Sequence, residues 1–334
     1  MKVAVIGFGY WGPNLVRNFN SVSGCEVAMV CDARDERLSV VKKMYPNVTT
    51  TKNAQDVFGN TWIDAVIIAT PVFTHFELAK KALENSKHVL LEKPMTSSTA
   101  EALVLNELAM KKDLVLMVDH TFLYTNAVHK IKQLVSEGTI GNLKYFDSTR
   151  INLGLFQPDI NVLWDLAPHD ISILDHLVKD DAYSVNATGV SHTNNGIENI
   201  AFLTVNYKSG FIAHFNCSWT SPVKVRQTLI GGDKKMIVFN DLEPSEKVRI
   251  YDTSYNHKTE EDKTRIMVDY RTGDVYIPKL SSREALAGVA EDFVQSVIHK
   301  KLPLSNALLG RSVVKILEAS QESIKNHGKE VSIK

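Results

Sequence analysis

The first thirty-two residues constrain the fold of this chain more than any other segment. Residues 2–6 are a short apolar run rich in β-branched side chains, which predicts a buried strand. The motif Gly7-Phe8-Gly9-Tyr10-Trp11-Gly12 follows at once and matches the pattern G-x-G-x-x-G, and residues 14–19 continue with helical spacing. A second apolar run, residues 26–31, ends at Asp32. This order of strand, glycine turn, helix, strand and acid predicts a dinucleotide-binding βαβ unit.

The glycine turn and the acid after the second strand predict how a cofactor is held. Gly7 permits a tight turn, Gly9 lets the backbone approach a pyrophosphate, and Gly12 lets the helix pack close to the sheet. The helix N-terminus offers free N–H groups to the phosphates. Asp32 is expected to accept hydrogen bonds from ribose hydroxyls, which favours NAD over NADP, whereas the nearby Arg34 is a residue type that binds a 2′-phosphate. The cofactor-binding residues predicted in this segment are Gly7, Phe8, Gly9, Tyr10, Trp11, Gly12 and Asp32.

The composition limits the classes of protein to which this chain can belong. A chain of 334 residues is long enough for two domains, and 44% hydrophobic and 23% charged residues are typical of globular proteins. Basic and acidic residues are equal at 38 each, which gives no electrostatic case for nucleic acid or an anionic membrane. Three cysteines without metal-ligand spacing predict buried thiols in a reducing compartment. With no apparent signal peptide or membrane span, we expect a cytoplasmic protein.

Apolar strands continue to alternate with helical segments, which predicts a doubly wound parallel sheet over residues 1–122. The strand at 64–69 ends in Thr70-Pro71, and the strand at 87–91 runs into Glu92-Lys93-Pro94. Ligands bind at the carboxyl ends of such strands, although a surface ion pair is an alternative interpretation of Glu92 and Lys93. We expect His75 to start a helix, capped by Thr74, beside the cofactor loop rather than to act as a catalyst. The further predicted cofactor-binding residues are Ala69, Thr70, Pro71, His75, Glu92 and Lys93.

The pattern changes in the second half of the chain. Residues 183–239 contain successive strands without intervening helices, which predicts an antiparallel or mixed sheet in a domain of α+β type, residues 123–334. Residues 244–282 are polar and predict irregular structure with short strands. Helices are predicted at 283–299 and 306–326, and the last one is expected to pack back toward the first domain.

A predicted helix at 162–177 carries a possible acid–base pair. Asp165 and His169 are spaced i and i+4, so they share one helix face, and a carboxylate beside an imidazole sets its tautomer and basicity. An ordinary pair on a helix surface is the alternative interpretation. A companion histidine at ligand spacing is absent from this motif, so we predict no metal site.

The chain resembles the Gfo/Idh/MocA family over essentially its whole length. The glycine motif, Ala69-Thr70-Pro71, Glu92-Lys93-Pro94 and Asp165-x-x-x-His169 come in the family's order and spacing. The resemblance implies a Rossmann domain followed by a domain with a large, mostly antiparallel sheet that joins dimers or tetramers. It also implies that Lys93 lies near the nicotinamide and the reacting hydroxyl, that His169 accepts a proton and that Asp165 binds a neighbouring hydroxyl or orients the histidine. Whether Lys93 or His169 is the formal base stays open.

Two segments resemble the nucleotide-sugar and surface-polysaccharide branch of the family, that of UDP-N-acetylglucosamine-type 3-dehydrogenases. They are Tyr10-Trp11-Gly12-Pro13-Asn14 and the residues from Val162 to His169. Many family members have a glycine-rich run just before the Asp-x-x-x-His motif, and this chain has residues 157–164 there instead. The resemblance implies oxidation of a nucleotide sugar at C3 of its pyranose ring. The residues predicted to contact substrate are Tyr124, Asn126, Arg150, Asn152, Asp165 and His169.

Three other functions remain open from the sequence. The first is dehydrogenation of a free polyol or sugar such as an inositol, which needs no diphosphate-binding pocket. The second is an NAD-dependent glycosidase, which oxidises C3 transiently and eliminates the aglycone. The third is a non-catalytic, sugar-responsive regulator, which fold alone never excludes. Retention of Lys93, Asp165 and His169 argues against the third.

Overall fold

The computed structural model describes residues 1–193, 195–256, 269–271 and 273–333. Its contacts divide the chain into two compact units. The first contains Met1–Thr125 and Arg283–Lys315, and the second contains Asn126–Ser282 and Ile316–Lys334. The segment Arg283–Lys315 therefore groups with the first unit, although the sequence analysis placed it in the second domain. The domain boundaries themselves stay a prediction.

The first unit contains a six-stranded parallel sheet in the order β3-β2-β1-β4-β5-β6. Its strands are β1 Lys2–Ile6, β2 Glu26–Cys31, β3 Thr49–Thr51, β4 Ala65–Ile68, β5 His88–Glu92 and β6 Leu116–Asp119. Its helices are α1 Gly12–Ser21, α2 Asp35–Met44, α3 Ala54–Phe58, α4 His75–Glu84, α5 Thr99–Lys111 and α8 Ala285–His299. The predicted doubly wound sheet is confirmed. The short edge strand β3, made of three threonines, was not predicted.

Side-chain caps fix the starts of two helices in this unit. Asn53 accepts a hydrogen bond from Gln55 N at the start of α3, and Ser98 accepts one from Glu101 N at the start of α5. The cap expected from Thr74 is wrong, because its hydroxyl donates to Pro71 O at 2.7 Å instead. The central strands are buried on both faces, which is why they occur in the sequence as continuous apolar runs.

The second unit is built on a nine-stranded sheet in the order β16-β13-β12-β11-β7-β10-β9-β8-β17. Strands β7 and β10 pair in parallel and the other ladders are antiparallel, so the predicted mostly antiparallel sheet is confirmed. Its strands are β7 Leu143–Leu153, β8 Ala182–Val190, β9 Ile200–Tyr207, β10 Ile212–Ser218, β11 Thr220–Gly232, β12 Met236–Asn240, β13 Val248–Tyr251, β16 Val275–Tyr276 and β17 Val331–Ser332. Strands β14 Ser254–Asn256 and β15 Asp269–Arg271 form a separate ladder.

Among its described residues, three helices belong wholly or partly to the second unit: α6 Asn126–Ser136, α7 Val162–Leu177 and α9 Ala307–Lys325. Helix α9 begins in the segment assigned to the first unit and ends in the segment assigned to the second. The short strands predicted within 244–282 are present as β13 to β16, while residues 257–268 and 272 of that segment lie outside the described residues.

Neither a membrane span nor a metal-binding cluster occurs in the part of the chain that the structure describes. Within the described ranges, no helix is long and apolar enough to cross a membrane. Across the same residues, no three or more His, Cys, Asp or Glu side chains are grouped so that they could hold a metal ion.

Candidate functional site

The glycine turn after β1 has the shape that a dinucleotide phosphate needs. Gly7 has a φ of 98°, and a Cβ atom there would lie 2.4 Å from Ala69 O, so the chain closes this turn only with glycine. A Cβ atom on Gly12 would lie 2.5 Å from Gly7 O. At Gly9, by contrast, the nearest atom to such a Cβ is an Arg34 nitrogen at 3.8 Å. The turn therefore leaves open space over Gly9, beside the N-terminus of α1, where a pyrophosphate fits.

The three aromatic or apolar side chains of the motif are placed differently from one another. Phe8 is buried in the core, so its predicted contact with a cofactor is limited to its backbone. Tyr10 is 81% exposed and Trp11 is 42% exposed, and their rings meet edge to face with centroids 5.5 Å apart. These two rings form the exposed side of the turn.

Asp32 ties the glycine turn to the end of β2. Its carboxylate accepts hydrogen bonds from Phe8 N at 2.7 Å, Arg34 N at 3.0 Å and Arg34 Nε at 3.1 Å. Burial alone would raise the pKa of Asp32, but the bonds from Arg34 and Phe8 outweigh it and lower that pKa. Asp32 is therefore an anionic acceptor at neutral pH, with the guanidinium of Arg34 already against it.

Because Arg34 lies against Asp32, we expect it to influence the choice between NAD and NADP. We expect Arg34→Ala to weaken NADP binding by about tenfold or more, because a charge-assisted hydrogen bond to the 2′-phosphate is lost. NAD binding is expected to stay within about threefold, since Asp32 keeps its acceptors for the ribose hydroxyls. Calorimetric titration with both cofactors measures this, with Arg34→Lys as the charge-preserving control. Equal loss of both affinities would contradict the prediction.

His75 joins the loops that follow β4 and β5. Its ring is buried, with Nδ1 3.0 Å from Pro94 O and Nε2 2.9 Å from Thr70 O. Burial lowers the pKa of His75, and the hydrogen bonds to backbone oxygens oppose that shift in part. The sequence predicted His75 as a cofactor contact. Its ring ties the Thr70-Pro71 and Lys93-Pro94 loops together, and its contact with a cofactor stays a prediction.

Lys93 follows the last residue of β5, and the Lys93–Pro94 peptide bond is cis. Two further polar residues lie at the same edge: Asp119, the last residue of β6, and His120 directly after it, both buried. Neither Asp119 nor His120 was predicted from the sequence as a site residue. Their position could have indicated them, because they lie at the carboxyl end of β6, and β6 pairs with the strand that ends in Glu92.

Two predicted substrate contacts already have partners inside their own units. The Tyr124 hydroxyl donates to Asp292 Oδ2 at 2.8 Å and accepts from Ser305 N at 3.2 Å within the first unit. In the second unit, Asn126 donates its side-chain N–H to Ser281 O at 2.9 Å. Their contact with a substrate stays a prediction.

Asp165 and His169 lie on α7 in the second unit, as predicted. Asn161 caps this helix by accepting from Leu163 N and Trp164 N, which fixes the turn that carries Asp165. Asp165 Oδ2 accepts a hydrogen bond from Trp219 Nε1 at 3.0 Å. Trp219 is 1% exposed and was missed by the sequence analysis, because it is distant in the chain and carries no motif. It holds the Asp165 carboxylate in one orientation.

Arg150 was predicted to contact substrate, but its guanidinium is held inside the second unit. It lies on β7, is 3% exposed, and donates to Asp170 from Nε at 2.8 Å and Nη2 at 2.7 Å. Burial would lower the pKa of Arg150, yet the Asp170 carboxylate raises it, so the guanidinium keeps its charge. This bidentate pair favours a structural role for Arg150. Asn152, two residues further along the strand, is half-buried.

Two protein-family models match this chain. Residues 1–120 match the family model "Oxidoreductase family, NAD-binding Rossmann fold", and residues 128–238 match "GFO/IDH/MocA C-terminal domain". A UDP-N-acetylglucosamine 3-dehydrogenase of Acidithiobacillus ferrooxidans is 27% identical over 333 residues, 94% of each chain. A scyllo-inositol 2-dehydrogenase (NAD(+)) of Bacillus subtilis is 26% identical over 71% of this chain and 73% of its own. The oxidoreductase YdgJ of Escherichia coli is 32% identical, but over about half of either chain.

Solved structures agree with this family at the level of the fold. The A. ferrooxidans enzyme superposes with a TM-score of 0.83 at 23% identity, covering 98% of this chain and 99% of that one. A levoglucosan dehydrogenase in complex with NADH and levoglucosan superposes with a TM-score of 0.85 at 19% identity, covering 100% and 99%. At these identities the likeness establishes the fold.

Proposed function

We propose, from the premise that this chain belongs to the Gfo/Idh/MocA family of NAD-binding oxidoreductases, that it oxidises a secondary hydroxyl of a nucleotide-linked sugar, at C3 of the pyranose ring. The observation that carries the choice of substrate is the end-to-end match to a UDP-N-acetylglucosamine 3-dehydrogenase, 94% of each chain. We place the reaction in amino-sugar or surface-polysaccharide biosynthesis.

The proposed roles follow from the chemistry of alcohol oxidation. Bound NAD supplies the hydride acceptor. As hydride leaves the carbinol carbon, alkoxide character develops on its oxygen, which a nearby cation stabilises and a base relieves by taking the proton. We assign Lys93 one of two roles: as a cation it stabilises that oxygen while His169 takes the proton, or in its neutral form it takes the proton itself. Asp165, whose carboxylate is fixed by Trp219, is assigned to a neighbouring hydroxyl of the sugar.

The glycine turn supports the assignment of the cofactor half of the site. Its open space over Gly9, the N-terminus of α1 and the anionic Asp32 suit the diphosphate and the ribose of a dinucleotide. Thr70, Pro71 and Glu92 lie on loops or strand ends of the same sheet edge, and His75 begins α4 next to them.

We expect the purified protein to form NADH when NAD is mixed with UDP-N-acetylglucosamine or a related nucleotide sugar. Absorbance of NADH in the near ultraviolet follows the reaction. A substrate deuterated at C3 is expected to transfer its label to the reduced cofactor, which mass spectrometry detects, whereas label at C4 stays in the sugar. Label transfer from C4, or binding of NAD with no NADH from any nucleotide sugar, would contradict the proposal.

Oxidation of a free polyol is the second candidate, and the similarity to scyllo-inositol 2-dehydrogenase favours it. The same assay separates the two when inositols are included in the panel. NADH formed with an inositol and with no nucleotide sugar would establish this alternative instead.

The homo-oligomer predicted from the family resemblance stays a prediction. The second unit offers a face for it, because Phe202 of β9 and Ile212 of β10 are both about half exposed on its sheet. Phe202 also stacks on His214 of β10, with ring centroids 6.5 Å apart.

A further inference from the structure

Two acidic side chains end neighbouring strands at the cofactor edge of the first unit. Glu92 ends β5, Asp119 ends β6, and the two are direct partners in the parallel ladder. Partners in adjacent strands project their side chains to the same face of the sheet, so the two carboxyl groups are neighbours. Asp119 is 2% exposed and accepts a hydrogen bond from Thr121 Oγ1 at 2.7 Å. Glu92 Oε1 is buried and has no hydrogen-bond partner among the described residues.

The charged groups around this pair decide how many protons it holds. Lys93 is the cation beside both acids. His120 is fully buried, and burial lowers its pKa to about 3, so it adds no charge at neutral pH. Tyr124 lies near Asp119 and is also neutral, because burial and Asp292 raise the pKa of its hydroxyl. With both acids ionised, the buried group would therefore carry a net negative charge, which is costly.

A single proton bound to one of the two acids removes the energetic cost of this buried negative charge. Burial, followed by the charge of Asp119, raises the pKa of Glu92 well above its usual range, and burial raises the pKa of Asp119 to about 6. Glu92 is the acid that keeps the proton, because its Oε1 has no partner among the described residues and a backbone hydrogen bond from Lys93 offsets the effect of burial only in part. Asp119, by contrast, is stabilised by the Thr121 hydroxyl. At neutral pH, a neutral Glu92, an anionic Asp119 and a cationic Lys93 sum to zero.

The position of this pair relates it to one end of the cofactor. In a sheet of order β3-β2-β1-β4-β5-β6, a dinucleotide crosses the carboxyl edge where the strand order reverses. Asp32 at the end of β2 marks the ribose of the adenosine half. The nicotinamide half therefore belongs on the side of β4, β5 and β6. The nicotinamide ring is cationic in NAD+ and neutral in NADH, so a fixed charge on that side changes the affinity for NAD+ more than the affinity for NADH.

We infer that Glu92 and Asp119 form a one-proton acid pair whose remaining negative charge, on Asp119, offsets the Lys93 cation and so strengthens binding of oxidised cofactor relative to reduced cofactor. Asp119 is thereby a positioning residue for charge and not a catalytic group. The inference rests on NAD binding and not on the proposed sugar substrate.

The sign of the pH dependence follows directly. Above about pH 6 Asp119 is ionised and favours the cationic ring, and below that pH it takes up a second proton and the preference is lost. By reciprocity, NAD+ favours the ionised form of Asp119, so binding of NAD+ near pH 6 releases protons, whereas binding of NADH does not.

The test is to titrate Asp119→Asn with NAD+ and with NADH, in the absence of any sugar. We expect the Kd for NAD+ to rise about tenfold at pH 7.5, as loss of one nearby charge in a partly solvated site implies, and the Kd for NADH to stay within about twofold. In wild type, lowering the pH from about 7.5 to 5 is expected to remove the preference for NAD+ over NADH, as the substitution does at pH 7.5. In the variant, that preference is expected not to change across this range. Asp113→Asn makes the same chemical change at an exposed residue before β6 and is expected to resemble wild type.

Two further measurements separate this role from a merely structural one. Thermal unfolding of Asp119→Asn is expected at the wild-type temperature or above, because a buried carboxylate is replaced by a neutral side chain of the same shape. Glu92→Gln is expected to keep the wild-type ratio of the two Kd values at neutral pH, since Glu92 is already neutral. The one-proton pair would be overturned by either of two results. The first is an equal rise in the Kd for NAD+ and the Kd for NADH in Asp119→Asn. The second is a smaller ratio of the NADH Kd to the NAD+ Kd in both variants.

Discussion

Replacing Lys93 with methionine is expected to lower kcat for the sugar substrate by about a thousandfold, the usual effect of removing a group that stabilises a developing alkoxide or takes its proton. Binding of NAD+ is expected to hold or to tighten, because the change removes a cation from the nicotinamide side of the site. The loss therefore falls on kcat and leaves cofactor affinity intact. Pre-steady-state formation of NADH measures the chemical step, and calorimetry measures the affinity.

Lys111→Met is the matched control for this variant. Lys111 is exposed on the last turn of α5, and the same change there is expected to leave both quantities at wild-type values. A Lys93→Met protein that binds NAD+ and still turns over at more than about a tenth of the wild-type rate would remove Lys93 from the reaction.

Breaking the Arg150–Asp170 pair is expected to destabilise the protein by about 3–5 kcal/mol, because each single variant leaves an uncompensated charge in a buried site. Arg150→Met and Asp170→Leu each remove one partner, and the double variant removes both. We expect the double variant to recover most of the lost stability, since neither charge then remains buried alone. Denaturant unfolding followed by far-ultraviolet circular dichroism gives the three values.

The same series decides whether Arg150 also contacts substrate. If its role is structural, the folded double variant is expected to keep KM for the sugar within about threefold of wild type, measured below its unfolding temperature. A large increase in KM with stability restored would instead support the substrate contact predicted from the sequence.

The cofactor half of the molecule could be predicted in detail because its signals are local. Buried parallel strands occur as short apolar runs, and the glycine turn and Asp32 lie within a single βαβ unit. Helix α7 also has the predicted bounds, Val162–Leu177, because its periodicity and the capping Asn161 are neighbours in the chain. Family membership follows from the order and spacing of such motifs.

The partners of the buried polar groups were decided by the tertiary structure. Arg150 is neutralised by Asp170, and Asp165 is held by Trp219, which are pairs of residues 20 and 54 positions apart. Glu92 and Asp119 become neighbours only when β5 and β6 pair. The grouping of Arg283–Lys315 with the first unit is likewise a matter of long-range contacts.

The sequence could not predict these partners because it determines residue type and local periodicity, whereas the energy of a buried charge depends on which groups surround it in the fold. Arginine and glutamate have the same sequence signal whether they meet a substrate or an internal partner. For this protein, the sequence alone determined the Rossmann unit, the family and the residues able to act. The tertiary structure decided that the Arg150 guanidinium is held by an internal acid, that Trp219 fixes Asp165, and that two acids share the sheet edge beside Lys93.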